Sequence, residues 1–551
     1  MQNPWMLLKE QIKKELKKHE IGIELEEPEE YGDFALPCFS LSGKFKKSPT
    51  DIAAELAKKL KPKYFSVKAV GPYVNFYIKW EEFGQQLLNE INKSYGLKEG
   101  KKIAIIDFSS PNPAHPFHLG TLRSTVIGES LARILENQSY AVKRICYIND
   151  LGKQAATLLL GYKSVKEGPK GKPDVWLGNI YFDINKKIAE NPELEKEVSD
   201  ILKKCETNKA ERDRARKIFD LALAGFKQNW KMLGIKFNDI VFESDFIKES
   251  YEIVKKLKEN KLAFESEGAL VLNLEKYGLP STIILRKDGT GLYLTRDMPF
   301  AIWKEKFKPE LNIYVDGEDQ RLHFQQLFKT LELLGYKDFA KKCSHLCYGM
   351  VLLAGKKMSG RKGYFVLWDE LFSEGLKKAL QEIKARWPEL KKPEKRAKKI
   401  ALGAIAYFIL KYSPEKSVNF VWDEALRFEG DTGPYLQYTY ARAGSILKKA
   451  KTKSVKKFDV AQLKDEKEIA LLKLLAHYPT ILEKAAKDLR PHYIANYLHN
   501  LGDAFNSFYQ SLSVLKAEPK LRAARLKLVE AVKTVLKSGL YLLDIETLET
   551  M

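Results

Sequence analysis

Ile103-Ala104-Ile105-Ile106-Asp107-Phe108-Ser109-Ser110-Pro111-Asn112-Pro113-Ala114-His115-Pro116-Phe117-His118-Leu119-Gly120-Thr121-Leu122-Arg123-Ser124 is the stretch on which the reading of this 551-residue chain turns. It opens with a short continuous apolar run, as suits a strand covered on both faces of a parallel sheet. A Pro-rich loop follows, then a helical pattern over Leu122 to Glu136. Strand, loop and helix in this order predict the start of a nucleotide-binding α/β sheet. The helix N-terminus would offer unpaired N–H groups and a positive dipole end to phosphate oxygens.

Outward from this junction, residues 1–98 predict a small α+β module. It has an amphipathic helix at Met6–Lys18, a second near Pro49–Leu60, and strand-like alternation over Val67–Tyr77. Residues 99–384 predict a Rossmann-like parallel-sheet domain, interrupted over 163–270 by an insertion that begins in the polar Lys163–Trp176 stretch. Residues 385–551 predict an all-α helical bundle, with amphipathic patterns at Arg396–Lys411, Gly433–Lys449, Glu466–Leu489, Ile494–Leu512 and Leu521–Leu543. The expected fold class is multidomain α/β.

A formal net charge of +22 gives a field that steers and holds a polyanion, nucleic acid ahead of an acidic protein. Five scattered cysteines are too few for a disulfide framework in so long a chain and suit a reducing cytoplasm. Cys343, His345 and Cys347 lack a second ligand pair at zinc spacing and read as packing residues, so no structural metal is expected. The N-terminus meets Lys9 and Glu10 too early for a signal peptide, and the apolar stretch Ala401–Leu410 is too short to span a bilayer. A cytoplasmic protein without a membrane partner is expected.

Two further segments bear on chemistry. Gly355-Lys356-Lys357-Met358-Ser359-Gly360-Arg361-Lys362-Gly363 is cationic and glycine-bounded, as suits a mobile loop that closes on phosphates. In Arg286-Lys287-Asp288-Gly289-Thr290-Gly291-Leu292-Tyr293-Leu294-Thr295-Arg296-Asp297, a helix from Tyr293 would put its phenol and the Asp297 carboxylate on one face. A carboxylate can accept two parallel N–H bonds from a guanidinium. Asp316–Gln326 and Ile148–Gln154 each follow a strand, where open α/β sheets collect ligands. Singly, each segment fits a core helix or a solvated basic turn equally well. Jointly they resemble the arginyl-tRNA synthetases, a class I aminoacyl-tRNA synthetase family. His118-Leu119-Gly120-Thr121 stands at the strand-to-helix junction of the H-I-G-H signature, and Lys357-Met358-Ser359-Gly360 is similar to the K-M-S-K loop. Ser110-Pro111-Asn112 and Leu122-Arg123-Ser124 narrow the likeness to the arginine enzymes.

The resemblance implies two steps: arginine is activated on ATP with Mg²⁺, then passed to the terminal ribose of tRNA(Arg) by a monomeric enzyme. It implies catalytic roles for His118, Gly120, Thr121, Lys357, Ser359 and Arg361, with His118 hydrogen bonding to the α-phosphate as charge builds there. ATP would also meet His115, His323, Gln325 and Met358. Arginine would be held by Ser110, Asn112, His118, Tyr293, Asp297 and Gln320, with Asp297 as the specificity anchor. Thr121 departs from the second signature histidine, Gly360 from the second loop lysine, and His115 stands where a lysine often compensates. Lys357, Arg361 and a protonated His115 would then share the phosphate charge.

Glu429–Arg442, Asp488–His492 and Phe505–Tyr509 resemble the family's anticodon-binding segments, which implies tRNA contacts from Tyr435, Gln437, Arg442, Arg490, Asn506 and Tyr509. Tyr31–Ala35 is similar to the module that touches the tRNA elbow. Two other readings stay open at this point: a class I synthetase for another amino acid, and an inactive tRNA-binding paralogue.

Overall fold

A computed structural model describes residues 3–28, 30–353, 366–452 and 455–550. The chain divides into two compact units, Glu99–Arg427 with Leu489–His492, and Met1–Lys98 with Phe428–Asp488 and Tyr493–Met551.

In the first unit the decisive apolar run lies mid-sheet, in the strand Lys98–Asp107, where Ala104, Ile105 and Ile106 are fully buried. The five strands stand in the order Cys343–Tyr348, Leu311–Gly317, Lys98–Asp107, Gln138–Ile148, Asp239–Phe242. Leu311–Gly317 runs parallel to both Lys98–Asp107 and Cys343–Tyr348, and Gln138–Ile148 runs parallel to Asp239–Phe242. The chain starts in the middle and builds to either side, which opens a crevice at the C-terminal end of the central strand.

The helix that follows, Leu119–Asn137, begins three residues before the expected Leu122. It is buried on nearly every side, so its Glu129 is paired, with Arg133 and Arg144 each at 2.8 Å. Gly128 lets this helix close on the strand end: a Cβ there would stand 2.2 Å from the Phe108 ring.

The expected insertion over 163–270 contains the helices Pro173–Glu190, Leu194–Thr207 and Lys209–Leu233, but the chain rejoins the sheet at Asp239–Phe242, well before 270. A four-residue strand carries too little periodicity to be seen in sequence. Likewise the helices Trp368–Arg386 and Pro393–Leu410, split by the expected boundary at 384, both belong to the sheet-bearing unit. Arg123 of the central helix explains the tie. Its buried guanidinium donates to the carbonyls of Gly349, Met350, Pro414 and Lys416 at 2.6 to 3.0 Å, and burial lowers it to about 10.

In the second unit an antiparallel sheet places Tyr73–Ile78 between Phe34–Pro37 and Phe65–Val70, with Gly71 at φ 55° turning the hairpin. The helices Pro4–Lys17 and Pro49–Lys59 fall close to their expected spans. So small a sheet buries little alone. It shares a core with the helical bundle: Trp5 stacks on His477 at 3.6 Å between centroids, and the Tyr95 hydroxyl donates to Leu475 O at 2.8 Å. The bundle helices are Gly433–Lys449, Glu466–Asp488, His492–Ser511 and Pro519–Leu542. No helix among the described residues is long and apolar enough to cross a membrane.

Candidate active site

The crevice holds a cavity of about 300 Å³ lined by Asp107, Ser110, Asn112, Tyr147, Asn149, Tyr293, Asp297, Phe300, Tyr314, Val315, Asp316, Gln320, His323 and Phe324. Ser110, Asn112, Tyr293, Asp297 and Gln320 were expected there from sequence. Three carboxylates face it, but Asp107 is already paired with the fully buried Lys304 at 2.9 Å, whose ammonium sits over the Phe300 and Tyr314 rings at 3.9 and 3.7 Å. The negative charge left for a ligand therefore comes from Asp297 and Asp316. Burial pushes Asp316 up to about 7.

Ser109 (φ 71°) and Ser110 (φ 30°) are consecutive left-handed residues without glycine's freedom. Such backbone persists only where its surroundings over-determine it. Ser109 N donates to Ser124 Oγ at 3.0 Å, and Ser109 Oγ accepts from Thr125 Oγ1 at 2.8 Å and Trp230 Nε1 at 3.0 Å. Ser110 Oγ donates to Asp107 Oδ1 at 3.0 Å and accepts from Tyr147 N at 3.1 Å. The turn brings Ser110 and Asn112 to the cavity and sends the chain on toward His118.

His118 caps the helix Leu119–Asn137: its Nδ1 accepts from Gly120 N at 3.0 Å and Thr121 N at 3.4 Å. This leaves the proton on Nε2, 3.5 Å from Thr121 Oγ1. Burial and the neighbouring His115 drive His118 down to about 3, so its ring is neutral near pH 7. The expected cationic His115 is corrected by its setting. It packs edge-on to Tyr181 at 5.2 Å, and burial lowers it to about 4. Tyr181 comes from the first insertion helix, whose Asp174 also accepts from Phe117 N at 3.1 Å, so the insertion braces the signature loop.

Lys357, Met358, Ser359 and Arg361 lie outside the described residues. The flanks of that segment are described: Val351–Leu353 pairs with Val418–Phe420, and Val366 O accepts from Leu119 N at 3.1 Å while Trp368 N donates to Phe117 O at 3.0 Å. The chain thus returns from the segment onto the backbone beside His118.

Comparison with known proteins bears directly on this arrangement. Family models match in order across the chain: an arginyl tRNA synthetase N terminal domain at residues 6–78, a class I (R) tRNA synthetase catalytic domain at 83–423, and a DALR anticodon binding domain at 436–551. The arginine–tRNA ligase of Halothermothrix orenii is 38% identical over 541 residues, covering 96% of this chain and 95% of the relative. That of Clostridium perfringens is 38% identical over 557 residues, covering 99% and 98%. The chain belongs to the arginyl-tRNA synthetase family. The solved arginyl-tRNA synthetase of Thermus thermophilus superposes on this synthetase over the whole of both chains with a TM-score of 0.84 at 29% identity.

Not every expected residue of the synthetase sits where the resemblance implied. His323, expected at the adenosine, lines the cavity and hydrogen bonds through Nε2 to Asp297 Oδ2 at 2.6 Å, while Gln325, expected there too, is exposed and is not part of the cavity lining. Burial disfavours the His323 cation, but the Asp297 hydrogen bond and the charges of Asp297, Asp316 and Glu243 outweigh it and raise His323. In the bundle, Tyr435, Arg442, Asn506 and Tyr509 form one cluster. Asn506 Nδ2 donates to Tyr435 Oη at 2.8 Å, Arg442 donates to Asn506 Oδ1, and the guanidinium lies 4.6 Å from Tyr438 and 5.4 Å from Tyr509 ring centres. Gln437 is fully buried, its amide donating to Glu546 O at 2.8 Å, so it is a core residue. Arg490 groups with the sheet-bearing unit and pairs with Glu415 at 2.5 Å.

Asn149 and Asp316 fell within segments expected to collect a ligand but were given no role of their own, and Asp107 was given none either. Asp107 ends its strand, Asp316 is next to last in its own, and Asn149 follows a strand directly, which is the positional signal that marks them. Among the described residues, no cluster of three or more His, Cys, Asp or Glu forms a metal site. Cys343 and Cys347 accept from Asn312 at 3.3 Å and Arg321 at 3.1 Å.

Proposed function

We infer that this chain attaches L-arginine to tRNA(Arg) at the expense of ATP, and that the residues around the acid-lined cavity carry the first step. The observation that supports this best is the pairing of a cavity holding Tyr293 and Asp297 with a histidine-capped helix N-terminus at the end of the same loop. The side-chain guanidinium of arginine lies against Asp297 and Tyr293, with the second carboxylate, Asp316, adding charge. Ser110, Asn112 and Gln320 hold the α-amino and carboxylate groups. A carboxylate oxygen attacks the α-phosphorus, and the bond to pyrophosphate breaks. His118 donates from Nε2 to the phosphate oxygen, while the Gly120 and Thr121 end of the helix contributes its dipole. Lys357 and Arg361 neutralise the leaving pyrophosphate and Ser359 offers it a hydroxyl hydrogen bond, with Met358 as a further nucleotide contact. The terminal ribose hydroxyl of tRNA then attacks the carbonyl carbon and AMP leaves.

Mg²⁺ would come with ATP as part of the substrate and would help offset the charge of its phosphates. Tyr435, Arg442, Asn506 and Tyr509 stack on and pair with anticodon nucleotides. The chain acts as a monomer in the cytoplasm. Charging of total tRNA with labelled arginine tests this reading. Expected is arginylation that needs ATP and is abolished in His118→Ala. Charging of another amino acid instead, or tight tRNA binding with no adenylate formed, would overturn it.

A further inference from the structure

His323 stands on Asp297, the carboxylate assigned to the substrate guanidinium, and no part of the activation chemistry uses it. The two side chains come from different helices, Arg321–Leu333 and Tyr293–Glu305, and meet at 2.6 Å inside the cavity. Among the described residues His323 is the one hydrogen-bond partner of Asp297, and the ring makes no second hydrogen bond through Nδ1. On the reading that this cavity takes arginine, we propose that His323 is a further specificity-determining residue: a guanidinium seating on Asp297 expels the Nδ1 proton of His323 to solvent, so that arginine uptake releases a proton.

The geometry dictates the order of events. A doubly protonated ring and a guanidinium cannot share one carboxylate without like-charge repulsion. The neutral ring keeps its Nε2–H on Asp297 Oδ2 and leaves Oδ1 for the incoming N–H groups. A neutral isostere such as citrulline has no charge with which to expel the proton, and meets a carboxylate already neutralised by imidazolium. The titratable groups facing the ring are Asp297 on the helix Tyr293–Glu305, Asp316 on the strand Leu311–Gly317, Glu243 on the turn Glu243–Phe246, and His345 on the strand Cys343–Tyr348. Together the carboxylates raise His323, while His345 is itself lowered to about 4, first by burial. Asp316, pushed by burial to about 7, and Glu243, pushed by burial to about 8, are the rival proton sources.

Calorimetric titration of the whole chain with arginine, in two buffers of different ionisation enthalpy, counts the protons. Expected are proton release near pH 7 and an arginine Kd that falls by up to about tenfold per pH unit below the His323 transition. Release should vanish and the profile flatten in His323→Gln; in Asp316→Asn and in Glu243→Gln release should persist with its transition moved to lower pH and a weaker arginine Kd, because each carboxylate removed lowers His323. Binding of arginine without release, release undiminished in His323→Gln, or release lost at every pH in Asp316→Asn or Glu243→Gln would each overturn the proposal. If His323→Gln does not fold, the wild-type, Asp316→Asn and Glu243→Gln counts taken together still decide. A chain that binds no arginine removes the underlying reading as well, whereas arginine bound without release removes this proposal alone.

Discussion

The His118 corner and the Asp297 pocket are joined by one loop, yet an imidazole behaves in opposite ways in the two places. His118 and His115 are half-buried among N–H donors, a helix N-terminus and each other, and are driven down to about 3 and 4. His323 is also half-buried, but carboxylates surround it and it is raised. Burial disfavours the charged ring in both places, so the sign is decided by what the ring faces. On the function proposed above, the corner that meets phosphate has a neutral donor and the pocket that takes the guanidinium has a proton for it to displace.

The harshest way to break this contrast is to remove the charge at the centre of the pocket. Asp297→Asn should weaken arginine-dependent ATP–pyrophosphate exchange by on the order of 10³-fold, since truncating one partner of a buried charge pair costs about 2–5 kcal/mol. Its His323 should fall back below the raised value, visible as an NMR titration. Retained arginine activation would dissolve the distinction between the two regions.

His118→Ala should lower the rate of adenylate formation by roughly 10²–10³-fold while leaving the arginine Kd nearly unchanged. It should also cost about 1 kcal/mol of stability through loss of the cap. His118→Asn, whose Oδ1 can replace Nδ1 as acceptor for Gly120 N, should recover that stability, as read by the urea midpoint.

The smallest effect concerns acid. Because His118 and His115 lie below the unfolded value of about 6.5, the unfolded chain binds more protons, and the stability they lend above that pH is lost as pH falls toward about 4. His323 has the opposite sign: its contribution is complete below the unfolded value and fades as pH rises through its raised folded value. Urea midpoints should decline between pH 6.5 and 4, less so in His118→Asn. A midpoint that rises over this range would contradict the neutral corner.

Much of this was legible before any coordinates. The run Ile103–Ile106 could be placed in a covered parallel strand because four apolar residues without alternation suit no half-exposed position. Tyr293 and Asp297 could be placed together because helical spacing puts i and i+4 on one face. The short strand Asp239–Phe242 was not legible, nor the burial of Gln437, since neither leaves a periodic trace.

Local sequence, through periodicity and motif order, determined the elements of this protein and the identity of its reactive groups. Tertiary structure alone decided which charges face which ring. Asp297 and His323 are 26 residues apart and Lys304 and Asp107 are 197 apart, and no local pattern reports such pairs. Proton affinity depends on distance and desolvation in three dimensions, so one residue type could become a neutral donor at 118 and a raised base at 323.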